Sequence, residues 1–194
     1  MRIDGRKLLV NGLRIDAVKS LTSVCDANLS EAGLAIQIGW REIMTQTRTE
    51  YFTGESVYEV FDRTIVTDVV QEEEPYDNLY RRNYRVDWSL FAKDPLSLGE
   101  GGVRKRHFLE VSINRITFGR RMFWTNRGYL GIGPAGMTEG DMICVFYGGQ
   151  VLYVLRDAGI GVYECIGECY VHGLMDGEAL AAEEKLEECT FIII

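Results

Sequence analysis

The sequence predicts an α+β fold: an N-terminal β-hairpin and about four helices packed on a small C-terminal antiparallel sheet of barrel-like form. Three observations predict it. Apolar residues recur at helical spacing between Ser30 and Thr117. After Gly119 the period changes to two. Most of the 21 glycines fall after residue 99, between short β-branched and aromatic runs. The 194 residues are 46% hydrophobic and 26% charged, with only 3 prolines, which excludes wholesale disorder and collagen-like chains. One domain is expected, with a hairpin and helical part over 1–118 and a β-rich part with a short helix over 119–194.

The elements follow in order. Lys7–Val10 and Leu13–Val18 flank Asn11-Gly12, the pair favoured in a two-residue type I′ turn, so a hairpin is predicted there. Ser30 is placed to cap a first helix, with Leu34, Ile38, Ile43, Trp40 and Met44 as its apolar residues. Gly54-Glu55-Ser56 opens a second helix, whose stripe is Val57, Tyr58, Phe61, Ile65 and Val69. Tyr76 to Phe91 reads as a third helix. A fourth runs from about Val103 to Thr117, carrying Phe108, Val111 and Ile116. Strands are predicted at 122–125, 129–133, 142–147, 151–155 and 162–171, then a helix over Gly177–Glu188 and a last strand from Thr190. Trp40, Phe61, Phe108 and Trp124 should be buried.

The net charge is -8, so a global nucleic-acid footprint is not expected. Basic residues nevertheless concentrate between Arg104 and Arg127, and acids between Asp176 and Glu188. No apolar leader and no run long enough to span a membrane is present, which predicts a cytoplasmic protein with no membrane partner. Five cysteines without framework spacing suit a reducing compartment, and neither a disulfide nor a metal is expected. Cys165, Cys169 and His172 fall one ligand short of a zinc set, and on a strand His172 points away from both thiols. Gly128-Tyr129-Leu130-Gly131-Ile132-Gly133 has dinucleotide-like glycine spacing but opens no helix, so its glycines read as points of close backbone approach.

The candidate chemistry collects at one strand end. His172 is the histidine of the β-rich part, and a neighbouring carboxylate can fix the tautomer of an imidazole. Glu168, Asp176 and Asp141 are the carboxylates expected around it. Arg120, Arg121 and Tyr129 are expected to contact a substrate or anion. No cofactor is called for.

Six segments occur in an order that resembles a known family. They are Arg120-Arg121-Met122-Phe123-Trp124-Thr125, Gly128 to Pro134, Gly140 to Val145, Tyr153 to Arg156, Gly167 to Gly173, and Met175 to Glu178. Together they resemble the C-terminal region of fungal heterokaryon-incompatibility (HET) domain proteins. Leu13–Val18 and Val60–Thr64 resemble the strand and helix before it, although the family more often has Trp where Phe61 or Asp62 stands. The family's name-giving segment lies upstream, and nothing here resembles it. The resemblance implies an accessory or interaction module linked to non-self recognition and cell death, with a protein partner. The alternative is a small cofactor-independent enzyme, a cyclase, isomerase or dehydratase, acting on a small apolar molecule.

Overall fold

The computed structural model describes residues 2–4, 7–46, 48–71, 80–81, 86–178 and 186–194. The chain divides into two compact units, residues 1–23 with 120–194, and residues 24–119.

The first unit is built of strands. β1 (Arg2–Asp4) and β2 (Lys7–Leu21) form the N-terminal hairpin. β5 (Arg120–Thr125), β6 (Leu130–Pro134), β7 (Met142–Phe146), β8 (Leu152–Gly159), β9 (Val162–Val171) and β10 (Glu187–Ile193) complete the unit. Their pairings close two circuits. One runs β2–β5–β6–β9–β8–β7 and returns to β2, all antiparallel. The other runs β2–β7–β8–β9–β10 and returns to β2, with β9 and β10 parallel. Closure removes open edges, which is how small β folds avoid pairing with other chains.

Each circuit has its own apolar cluster because side chains alternate across a strand. Ile15, Val18, Phe123, Ile143, Val154 and Val171 belong to the larger one. Met142, Cys144, Leu155 and Phe191 form the other, with Phe146 stacked on Tyr153 at 4.6 Å. The β7–β8 wall thus serves both clusters: Ile143 and Val154 face one way, Cys144 and Leu155 the other.

Asn11-Gly12 is not a turn. It lies inside β2, where Gly12 is opposite Phe146 on one side and Cys189 on the other. A Cβ at Gly12 would sit 2.1 Å from the Val145 carbonyl oxygen. The glycine serves close approach of two strands, not a positive φ. The hairpin register instead pairs Asp4 with Lys7, and residues 5–6 between them lie outside the described residues. The same logic holds at Gly131, whose Cβ would meet Tyr170 O and Phe123 Cζ, both at 2.5 Å.

Among the described residues, the second unit carries four α-helices. α1 (Glu31–Thr45) is capped by Ser30, whose hydroxyl accepts from Gly33 N. α2 (Val57–Thr64) starts in a capping box, with Ser56 and Glu59 satisfying each other's backbone N–H groups. α3 (Ser89–Ala92) is a single turn and α4 (Glu100–Thr117) the longest helix. Tyr80–Arg81 (β4) pairs antiparallel with Val70–Gln71 (β3). A third helix across Tyr76–Phe91 is therefore corrected at Tyr80–Arg81; residues 76–79 and 82–85 lie outside the described residues. So do residues 179–185 of the helix expected before the last strand, and that strand already begins at Glu187.

The buried faces of α1 and α4 differ from the predicted stripes. Ile38 and Ile43 are exposed, as are Tyr58 of α2 and Val111 of α4. Polar side chains take the inner positions. Gln37 Nε2 donates to Thr117 Oγ1 at 2.8 Å, and Asn114 accepts from Leu29 N and donates to Asn28. Satisfied in pairs, such groups cost little to bury. Trp40, Phe61 and Trp124 are buried as expected, whereas Phe108 is half-buried.

Candidate functional site

β9 delivers the residues on which acid–base chemistry was expected. Cys169 and Val171 face the larger cluster, so Tyr170 and His172 face away from it. His172 is nevertheless 2% exposed. Its Nδ1 lies 3.0 Å from the Tyr170 hydroxyl, and its backbone N–H donates to Leu130 O. Glu168, two-thirds of the way along the strand, is exposed and pairs with Arg120 at 3.6 Å. Asp176 is exposed, and its backbone N–H donates to Glu178.

Asp141 lies apart in its bonding. Its carboxylate accepts from Arg156 Nε and Nη2, both at 2.9 Å, and from Thr138 N at 2.7 Å. The Thr138 hydroxyl adds a fourth bond at 3.2 Å. The side chain is buried, and it ties the 138–141 turn to β8. Arg121 is a second tie. Its guanidinium donates to Thr22 O and Met137 O, so it holds two carbonyls. Tyr129 packs on the larger cluster, and its N–H donates to Thr125 Oγ1. The structure thus brings Arg120 to Glu168 and Tyr170 to His172, and it gives Asp141 and Arg121 other partners.

Four of the five cysteines share the strand-built unit, and Cys25 lies in the helical one. Cys144 and Cys169 are buried, Cys189 is half-buried and Cys165 exposed, all as free thiols. Burial pushes all four thiols up, so none is a thiolate near neutrality. Among the described residues, no group of three or more His, Cys, Asp or Glu could hold a metal ion.

Sequence reasoning missed a charged node in the helical unit. Asp62 of α2 is 8% exposed and accepts from the Trp88 indole at 2.6 Å. Arg41 of α1 places Nε 3.7 Å from the same carboxylate. Its guanidinium lies 4.8 Å from the Tyr58 ring centre and 5.6 Å from that of Trp88. Desolvation dominates Asp62: burial pushes its carboxyl up to about 6, against the pull of Trp88 and Arg41. These residues are 21 and 26 positions apart, so no local spacing marks them.

The node has a pH consequence. The folded protein holds the Asp62 proton more tightly than the unfolded chain. Stability from this group is therefore present below about pH 4 and is lost as pH rises through 6. The change is on the order of 2 kcal/mol. Asp62→Asn keeps an acceptor for Trp88 and removes the titration. The stability difference between wild type and Asp62→Asn, read by urea unfolding, should change by about that amount between pH 4.5 and 7.5. Parallel profiles would show that Asp62 does not titrate in this window.

Two clefts are small. Residues including Ser30, Gln37, Arg106 and Asn114 line about 220 Å³ in the helical unit. Leu152, Leu174, Met175 and Gln150 line about 120 Å³ at one end of the barrel unit. No helix of the described residues is long and apolar enough to cross a membrane.

Comparison with known proteins bears on this arrangement. Heterokaryon incompatibility protein 6, OR allele, of Neurospora crassa is 40% identical over 70 residues, which cover 34% of this chain. The match spans about a tenth of the Neurospora protein's length (10%). No solved structure matches. The profile of the Het-6 β-barrel domain covers residues 45–193, three-quarters of the chain and every strand of the two circuits except β2. The chain belongs to the Het-6 β-barrel domain family.

Proposed function

We propose that this chain works as the accessory, partner-binding module of a heterokaryon-incompatibility system, contributing to non-self recognition rather than catalysing a reaction. The observation that carries this reading is the family membership, together with the similarity to the Neurospora incompatibility protein. The side-chain bonding supports it. Asp141, Arg121 and Arg120 hold turns and strands, so their role is to fix the barrel's loops in one shape for a partner.

The test is genetic. The 70-residue segment of the Neurospora protein is replaced by its counterpart from this chain. Forced heterokaryons are then scored for rejection. The chimera should accumulate normally and change which partner strains are rejected. An unchanged rejection pattern at normal abundance would overturn the reading.

A further inference from the structure

The basic stretch of the sequence is largely consumed by internal bonds. Lys105 pairs with Asp87, Arg106 with Glu110 and Arg120 with Glu168, and Arg121 binds carbonyls. Arg104 and Arg115 are different. Both are exposed, and neither has an ion-pair partner among the described residues. Both also lie on the same face of α4.

The spacing shows this. Arg104, His107, Val111 and Arg115 follow one another at steps of 3, 4 and 4, the spacing of one helical stripe, and Phe118 follows as the extended residue just past the end of α4. All five are exposed, with Val111 at 40% and Phe118 at 48%. The opposite face carries Leu109, Ile113 and Thr117, which are buried. Eleven residues at about 1.5 Å each put the two arginines about 16 Å apart, with an apolar side chain between them.

We infer that this face of α4 is a docking surface for an acidic amphipathic helix of a partner protein, with carboxylates set about three turns apart to meet Arg104 and Arg115. The inference rests on the interaction reading above and names the partner's chemistry. Charge complementarity argues for it: Arg104 and Arg115, exposed and without an ion-pair partner among the described residues, set two guanidinium groups on one face. Arginine forks bind carboxylates in two-point fashion, and an apolar residue between them favours a helix over an extended acidic chain. Nucleic acid is disfavoured, because two arginines on one face fall short of the row of basic contacts that a phosphate backbone takes up. A lipid surface would call for a broad face of large apolar residues, where this one has Val111 and Phe118.

The probe is a synthetic 20-residue helical peptide with Glu at positions i and i+11 and Leu at the positions between on the same face. Binding to the full chain is read by fluorescence anisotropy at two salt concentrations. Wild type should bind the Glu peptide, more weakly at higher salt, and at least tenfold more tightly than a peptide with Gln at both positions. Arg104→Glu with Arg115→Glu should lose at least tenfold while its thermal unfolding stays unchanged, since both side chains are exposed. Three results would overturn the inference: no binding of the Glu peptide, equal binding by the double variant, or tighter binding to duplex DNA or phosphatidylserine vesicles. The chimera assay separates the two levels. A chimera that takes up the whole of this chain with the double variant and still alters rejection removes this surface and leaves the family-level role standing.

Discussion

Gly12→Val is expected to abolish folding of the strand-built unit or to lower its stability by about 3 kcal/mol or more. The new Cβ would lie 2.1 Å from Val145 O and 2.9 Å from Phe146 Cα. Both are backbone atoms, so no rotamer change relieves the clash. Strand β2 would have to leave β7, and both circuits share that pairing. Against a typical total of about 5–15 kcal/mol, such a loss removes about a fifth of the stability or more. Gly39→Ala is the control. It sits inside α1 with nothing within 4 Å of the added methyl, and it should gain about 0.5–1 kcal/mol from helix propensity. Urea midpoints for the two variants should move in opposite directions. A wild-type midpoint for Gly12→Val would mean that β2 and β7 do not pair as described.

Asp141→Ala is expected to cost about 2–4 kcal/mol. It strips Arg156 of both carboxylate bonds and leaves Thr138 N without its acceptor. Asp141→Asn retains one acceptor oxygen and should cost less. The ordering wild type, Asn, Ala in thermal unfolding tests the tie. If Asp141 acted on a substrate instead, both variants would melt like wild type and lose only activity.

Much of the helical architecture was legible because caps are local. Ser30 and the Ser56–Glu59 box lie within three residues of the N–H groups they serve. The strands after Gly119 were legible for the same reason, since alternation is written in adjacent residues. Two things were not. The inner faces of α1 and α4 carry Gln37, Asn114 and Thr117 beside apolar residues, so a search for apolar stripes found Trp40 and Met44 but also took in Ile38, Ile43 and Val111, which stand in solvent. Asn11-Gly12 carries the local mark of a turn, and only contact with β7 and β10, more than 130 residues away, makes it a straight strand. The candidate site divides similarly. His172 was found as a rare titratable residue next to acids in sequence, but its hydroxyl partner Tyr170 was not. The Asp62 node was not found at all, because burial rather than spacing raises its proton affinity.

The double circuit also dictates the order in which this chain can fold. β2 lies at the beginning of the sequence, and it must wait for β5 about a hundred residues later and for β10 at Glu187–Ile193. Helices α1 to α4 fall within the intervening stretch, residues 24–119, and close mostly local contacts. During synthesis they can form while β2 still lacks every later partner. The strands can complete both circuits only when β10 has left the ribosome. High contact order of this kind places barrel closure on the millisecond-to-second scale, against microseconds for helices. Until then β2 is a long, partly apolar strand with both edges open, the state in which such a chain is most exposed to aggregation and most dependent on chaperones.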